Sequence, residues 1–215
     1  MQTTLKLSLS CLVCLSLLFL NGCGGGVPRL TPAEQAEVDK LIAEHGTNVI
    51  PYYLQNLHVF LSDIEEGPNW GAKVYETIFK ILKYLVSNGA DVNARCHIDT
   101  WTPLHHVVTR GLDFDSVKDG FSVELVNYLV SNGADVNARC LRNGATPLHY
   151  AVDIGYNIEI IKCLVSNGAD VNARTERGGL MPANATPLDI ARHSASHSMS
   201  PEITRGIIEF LESVR

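Results

Sequence analysis

Eleven consecutive residues occur three times in this chain without a single change. Leu85–Arg95, Leu129–Arg139 and Leu164–Arg174 all read L-V-S-N-G-A-D-V-N-A-R. A second motif alternates with the first: Thr102-Pro103-Leu104-His105 and Thr146-Pro147-Leu148-His149 are identical, and Thr186-Pro187-Leu188-Asp189 departs only at its last position. Self-similarity of this kind specifies an array of one small structural unit. A single unit cannot bury its own apolar face, so successive copies must stack.

The residues of the motifs predict how each unit folds. Thr102 and Thr146 suit a helix N-cap, and Pro103 and Pro147 suit the first helical position, where no amide donor is needed. Val123–Val130 and Ile158–Val165 carry apolar residues at helical spacing, which predicts a second helix per unit. Gly89, Gly133 and Gly168 follow those helices and can take the left-handed conformation that ends them. The Asp and Asn residues just beyond, such as Asp91 and Asn93, supply turn chemistry for a loop between units.

These motifs resemble the ankyrin repeat, whose consensus contains T-P-L-H and G-A-D-V-N over about 33 residues. The resemblance covers Ala72 to Arg215. It implies an all-α solenoid of stacked helix-turn-helix units with β-hairpin-like loops. It also implies that His105 and His149 are structural imidazoles bonded to the neighbouring turn. The spacing departs from the consensus. Thr102 to Thr146 is longer, chiefly through Leu112–Ser122 between the two helices, and Thr146 to Thr186 is longer within Thr175–Ala185. Solenoids vary in their loops without disturbing the core. Atypical helical caps are expected at both ends. Pro32–His45 is one, with Thr31 as N-cap, followed by a second helix over Tyr52–Asp63. Thr186–Arg215 is the other, closed by a helix opening at Pro201.

The N-terminus carries a different signal. Met1–Lys6 holds one cation, and Leu7–Leu20 is apolar apart from serines and cysteines. Its span of roughly 21 Å falls short of a bilayer's ~30 Å core, which favours a secretory signal over a membrane-crossing helix. Leu20-Asn21-Gly22-Cys23 then resembles a bacterial lipobox. That implies lipidation of Cys23 and a flexible tether over residues 23–30. The expected organisation is therefore a lipoprotein signal peptide over 1–22, the lipidated Cys and tether over 23–30, an N-terminal helical cap and degenerate first repeat over 31–71, and ankyrin repeats over 72–215. Gly24 after the Cys favours the outer membrane, periplasmic face.

Charge and composition narrow the function. The net charge is −6, and the leader contributes only Lys6, so the rest of the chain is more acidic still. Such a chain is poorly suited to nucleic acid, whose binding rests on cations that neutralise phosphates. No phosphate loop, nucleophile elbow or zinc-ligand spacing occurs. The expectation is a non-catalytic module without cofactor, metal or small-molecule substrate, acting as a monomer on one protein partner. A toxin-neutralising immunity protein and an envelope adaptor both fit that description. Two rival readings are a redox or metal protein using Cys96, His97 and Cys140, and a secreted effector binding host proteins. Cys163 replaces an apolar helix residue and is expected as a buried thiol.

In the ankyrin family the hairpin tips and first helices line the concave binding side. Carried onto this sequence, the expected partner contacts are Ile98, Trp101, Thr109 and Arg110; then Leu141, Arg142, Ala145, Asp153 and Ile154; then Glu176, Arg177, Arg192 and His193. Trp101 stands first, because Trp beside Arg is typical of binding hot spots. The plainer alternative is that its ring packs against a neighbouring tip. His106 is expected to face the binding side. Leu180-Met181-Pro182 is either a contact or a segment folded onto the stack.

Overall fold

In the computed structural model, residues 32–45, 70–95, 100–109, 120–155, 157–176, 181–194 and 201–215 are described. The chain forms two compact units, Met1–Asp91 and Val92–Arg215. Among the described residues every regular element is a helix. None of these helices is long and apolar enough to cross a membrane.

The first unit contains α1 (Pro32–His45) and α2 (Trp70–Ser87), which pack together. Val38 of α1 and Ile81, Leu82 and Leu85 of α2 are buried. At the edge of the pair the Tyr84 hydroxyl donates to Asp39 Oδ1 at 2.6 Å and accepts from Gln35 Nε2 at 3.0 Å. The expected helix over Pro32–His45 is present. Its proposed cap Thr31 and the expected helix over Tyr52–Asp63 lie outside the described residues.

The second unit holds α3 (Pro103–Thr109), α4 (Gly120–Ser131), α5 (Pro147–Ile154), α6 (Ile158–Ser166), α7 (Pro187–Ser194) and α8 (Pro201–Ser213). The packing is a ladder. Within layers α3 meets α4, α5 meets α6, and α7 meets α8; along the rows α3–α5–α7 and α4–α6–α8 each touch in turn. Sequential neighbours in two parallel rows are what a stacked solenoid requires. Leu104, Leu125, Leu129, Leu148, Ile161, Leu164, Ile190 and Ile207 fill the space between the rows and are fully buried.

Local chemistry sets the ends of each element. Thr146 is extended, Pro147 opens α5, and Asn157 caps α6 by accepting the Glu159 amide at 2.8 Å. The second helices end at the copied glycines. Gly133 takes φ +91°, its amide donates to the Val130 carbonyl at 3.0 Å, and the Ala134 amide donates to Leu129. Together these close the helix C-terminus.

Three side-chain ladders tie one layer to the next. Asn93 Nδ2 donates to the Gly133 carbonyl and Asn93 Oδ1 accepts the Asp135 amide, both at 2.8 Å. Asn137 repeats this one layer on, with the Gly168 carbonyl at 3.0 Å and the Asp170 amide at 2.8 Å. Arg95 Nη1 reaches the Arg139 carbonyl at 2.7 Å, and Arg139 Nη1 reaches the Arg174 carbonyl at 3.0 Å. The third ladder is the buried imidazoles. His149 Nδ1 accepts the Thr146 amide at 3.1 Å, which fixes the proton on Nε2. Nε2 then lies 3.1 Å from the Ala173 carbonyl and 3.2 Å from that of Ala185, in the next layer. His105 does the same toward Ala145. Burial holds the His149 pKa below the ordinary histidine value. The identity of the repeats thus serves contacts between layers, beyond the shape of each layer.

Asp189 stands where the third copy would have histidine. Its Oδ2 accepts the Thr186 amide at 3.0 Å and the Thr186 hydroxyl at 2.8 Å, which lowers its pKa. A carboxylate reproduces the local half of the imidazole's bonding. It has no N–H to donate onward.

Candidate interaction surface

Each loop between layers runs directly into a first helix, so the tips and α3, α5 and α7 form one continuous row. The second tip is a tight hairpin: the Cys140 amide donates to Ala145 and the Gly144 amide to Cys140, each at 2.8 Å. Gly144 has φ +68°, and a Cβ there would sit 2.7 Å from Glu176 Cγ. Glycine serves both needs at once, the left-handed turn and the close approach of the next tip.

Bonds join the tips side by side. The Leu141 amide donates to Thr100 Oγ1 at 3.0 Å. The Glu176 amide donates to the Asn143 carbonyl at 2.9 Å. Arg139 pairs with Glu176 Oε1 at 3.2 Å across exposed surface. In the third tip Thr175 is buried; its hydroxyl donates to the Pro182 carbonyl at 2.7 Å and accepts the Ala185 amide at 2.9 Å. These bonds hold the row as a preformed platform, which lowers the ordering cost of binding.

The expected contact residues divide on inspection of their burial. Leu141 is 69% exposed, an unusual position for a leucine. Arg142, Asp153, Glu176, Arg192 and His193 are also exposed, and Thr109 and Ile154 are half-buried. Ala145 is a correction. It is 0% exposed: its carbonyl accepts the Cys140 amide and faces His105 while its amide donates to Asn143 Oδ1, so its side chain cannot reach a partner. Thr109 spends its hydroxyl on the His105 carbonyl at 2.8 Å. Ile98, Arg110, Arg177 and the lipidation candidate Cys23 lie outside the described residues.

Trp101 takes the plainer of its two readings in large part. It is half-buried, and its ring meets Tyr150 edge-on at 4.8 Å. The indole N–H donates to the Tyr150 hydroxyl at 3.3 Å. Burial, with the Cys140 thiol adding to it, pushes the Tyr150 phenol up to about 12. The remaining ring edge is what Trp101 offers to solvent. His106 is likewise a correction: it is 1% exposed and packs 5.3 Å from the Trp101 ring, so it supports the surface from beneath. Met181 is buried, so that part of the long third tip folds onto the stack.

Arg192 pairs with Glu212 of α8 at 2.7 Å. Asp153 receives a long hydrogen bond from Ser194 at 3.4 Å, and partial loss of solvent around its carboxyl raises its pKa. Sequence reasoning missed Thr100, Asn143 and Tyr150. Thr100 has φ +61°, and nothing in its local sequence announces that. Tyr150 was legible only as the residue after T-P-L-H, a position occupied by His106 one copy earlier.

Two of the cysteines lie among the described residues. Cys140 and Cys163 are buried. Cys163 donates to Asn127 Oδ1 at 3.2 Å in the packed row of second helices, as a buried thiol should. Cys96 and His97 lie outside the described residues, and no grouping of three or more metal-ligating side chains occurs within them.

A family model described as ankyrin repeats (3 copies) matches residues 72–175 and, overlapping, 114–199. The search of curated proteins finds no match.

Proposed function

The chain belongs to the ankyrin-repeat family, which makes it a protein–protein interaction module, and from that premise we propose that it grips one partner protein through its tip row without catalysis, from a lipid anchor on a bacterial envelope. The observation that carries this reading is the tip at Leu141 and Arg142. The scaffold closes its own hydrogen bonds through buried imidazoles, asparagines and arginines, and yet spends a leucine on open solvent beside an arginine. Arginine is enriched among binding hot spots, and here it stands beside an exposed apolar side chain on a preformed platform. Anchoring rests on the Leu20-Asn21-Gly22-Cys23 pattern after an apolar leader. Several acyl chains together hold a protein firmly where one chain alone binds marginally. Gly24 directs the anchor to the outer membrane, with the domain facing the periplasm. An immunity protein against a secreted toxin and an envelope adaptor are the two roles such a module serves, and the captured partner decides between them.

The test has two arms. Labelled palmitate should enter the wild-type protein and not Cys23→Ala; equal labelling removes the anchor from the account. Immobilised protein should capture one envelope or toxin partner, and Leu141→Asp with Arg142→Glu should cut that capture by about 100-fold or more, the scale of a hot spot near 3 kcal/mol. Undiminished capture by a correctly folded double variant would place the binding surface elsewhere.

A further inference from the structure

Four Asn-Gly pairs lie among the described residues: Asn88-Gly89, Asn132-Gly133, Asn143-Gly144 and Asn167-Gly168. This dipeptide is open to a spontaneous reaction. The glycine amide nitrogen attacks the asparagine side-chain carbon, Cγ, and forms a C–N bond. The Cγ–Nδ2 bond breaks, and Nδ2 leaves as ammonia with the proton the glycine amide has lost. The resulting succinimide then adds water at either carbonyl and opens to aspartate or isoaspartate. No electron changes hands. Glycine permits the reaction because no side chain obstructs the attacking nitrogen.

The fold treats these four pairs differently. At three of them the leaving group is held. Asn88 Nδ2 donates to the Tyr84 carbonyl, Asn132 Nδ2 to Tyr128 and Asn167 Nδ2 to Cys163, each at 2.8 Å. Each of these asparagines ends a helix, and its own amide donates to carbonyls one turn back. Turning Cγ toward the glycine nitrogen would unwind that helix end. For Asn132 it would also pull on the Gly133 carbonyl and Asp135 amide that Asn93 clamps from the preceding layer.

Asn143 is arranged the other way round. Its side chain is held by the oxygen: Oδ1 accepts the Ala145 amide at 3.1 Å and the Tyr150 hydroxyl at 3.5 Å. Two donors on Oδ1 draw electrons from Cγ, which favours nucleophilic attack there. The bond from the amide of Ala145, the residue beyond the attacking glycine, turns the side chain along the chain toward that glycine. Freeing the Gly144 amide breaks its bond to the Cys140 carbonyl, and turning that peptide also parts the Asn143 carbonyl from the Glu176 amide, both within the tips. Parting these tip bonds unwinds no helical turn, and loop tips open at lower cost than helix ends.

We infer that Asn143 is the deamidation site of this protein, with the three helix-end pairs protected by the fold. The product adds a negative charge, and in the isoaspartate form a longer backbone, between Arg142 and the contact with Glu176 on the tip row. Ageing would therefore alter this surface while leaving the stack intact.

Peptide mapping of the full-length folded protein tests the inference. Samples are held in mildly alkaline buffer, with and without denaturant, and read by tandem mass spectrometry for amide-to-acid conversion at each asparagine. In the folded sample Asn143 should convert about tenfold faster than Asn88, Asn132 or Asn167, in line with a lower opening cost at the tip. In denaturant the four rates should converge. The inference is overturned if a helix-end asparagine keeps pace with Asn143 in the folded protein. It is equally overturned if folded Asn143 stays intact over the time in which the denatured chain reacts.

Discussion

Replacing His149 by alanine should cost this protein about 3–5 kcal/mol, far more than the same change at Asp189. The His149 ring is 0% exposed and satisfies groups in two layers. Its loss strips the Thr146 amide of its partner at 3.1 Å and the Ala173 carbonyl of its partner at 3.1 Å. The Ala185 carbonyl keeps the Thr175 amide at 3.0 Å, so it is spared. A buried polar group left unmet costs roughly 1–3 kcal/mol. Two such groups, together with the space the ring vacates, give the figure stated. Asp189 is exposed and bonds only within its own turn, so Asp189→Ala should cost about 1 kcal/mol, the scale of a lost helix cap. Equilibrium urea unfolding followed by circular dichroism measures both. A loss below about 1 kcal/mol for His149→Ala, or parity between the two variants, would refute the claim that the imidazole couples layers.

Acid should weaken the stack in a defined order. The His149 pKa is lowered on folding, so below about pH 6.5 the unfolded chain takes up a proton that the native state resists, and stability falls with pH. Asp189, lowered on folding, contributes stability above the ordinary carboxylate range that is lost on further acidification; the urea midpoint against pH should show both declines. Gly144→Ala should destabilise by about 1–2 kcal/mol through left-handed strain and the clash with Glu176, and adding Glu176→Ala should recover part of it; equal stability of the single and double variants in thermal melts would count against tip-to-tip contact. Trp101→Ala should lower stability by about 1–3 kcal/mol, because the ring packs on Tyr150, and should change Tyr150 emission; Leu141→Asp should leave stability within about 0.5 kcal/mol. A disulfide-exchange reagent should label Cys140 and Cys163 only at the rate of unfolding, and rapid labelling of either of these two residues in the native protein, read by peptide mapping, would contradict their burial.

The stack was legible in the sequence because its rules are local. Threonine, proline and glycine mark where helices start and stop, and helical spacing marks the faces that must be covered. The function of the copied Asn and Arg side chains was less legible. Turn propensity alone accounts for Asn93 and Asn137, yet both bridge to the next layer, a relation visible only once layers are adjacent. The surface was half legible. Leu141 and Arg142 protrude as the repeat alignment implies, but Ala145 and His106 are buried. Repeat position says which way the backbone points and is silent on how a hairpin folds over its own base. Trp101 needed a partner one layer away to settle its orientation, and that partner, Tyr150, sits at a variable position.

Hydrogen exchange at two amides probes the stacking itself most directly. Asp135 and Asp170 are exposed residues whose amides donate across layers, to Asn93 and Asn137. In Asn137→Ala the Asp170 amide should exchange about tenfold faster or more, with the Asp135 amide unchanged; Asn93→Ala should do the reverse. If each variant leaves its partner amide as slow as before, or speeds both amides alike, the copied segments are not joined as consecutive layers.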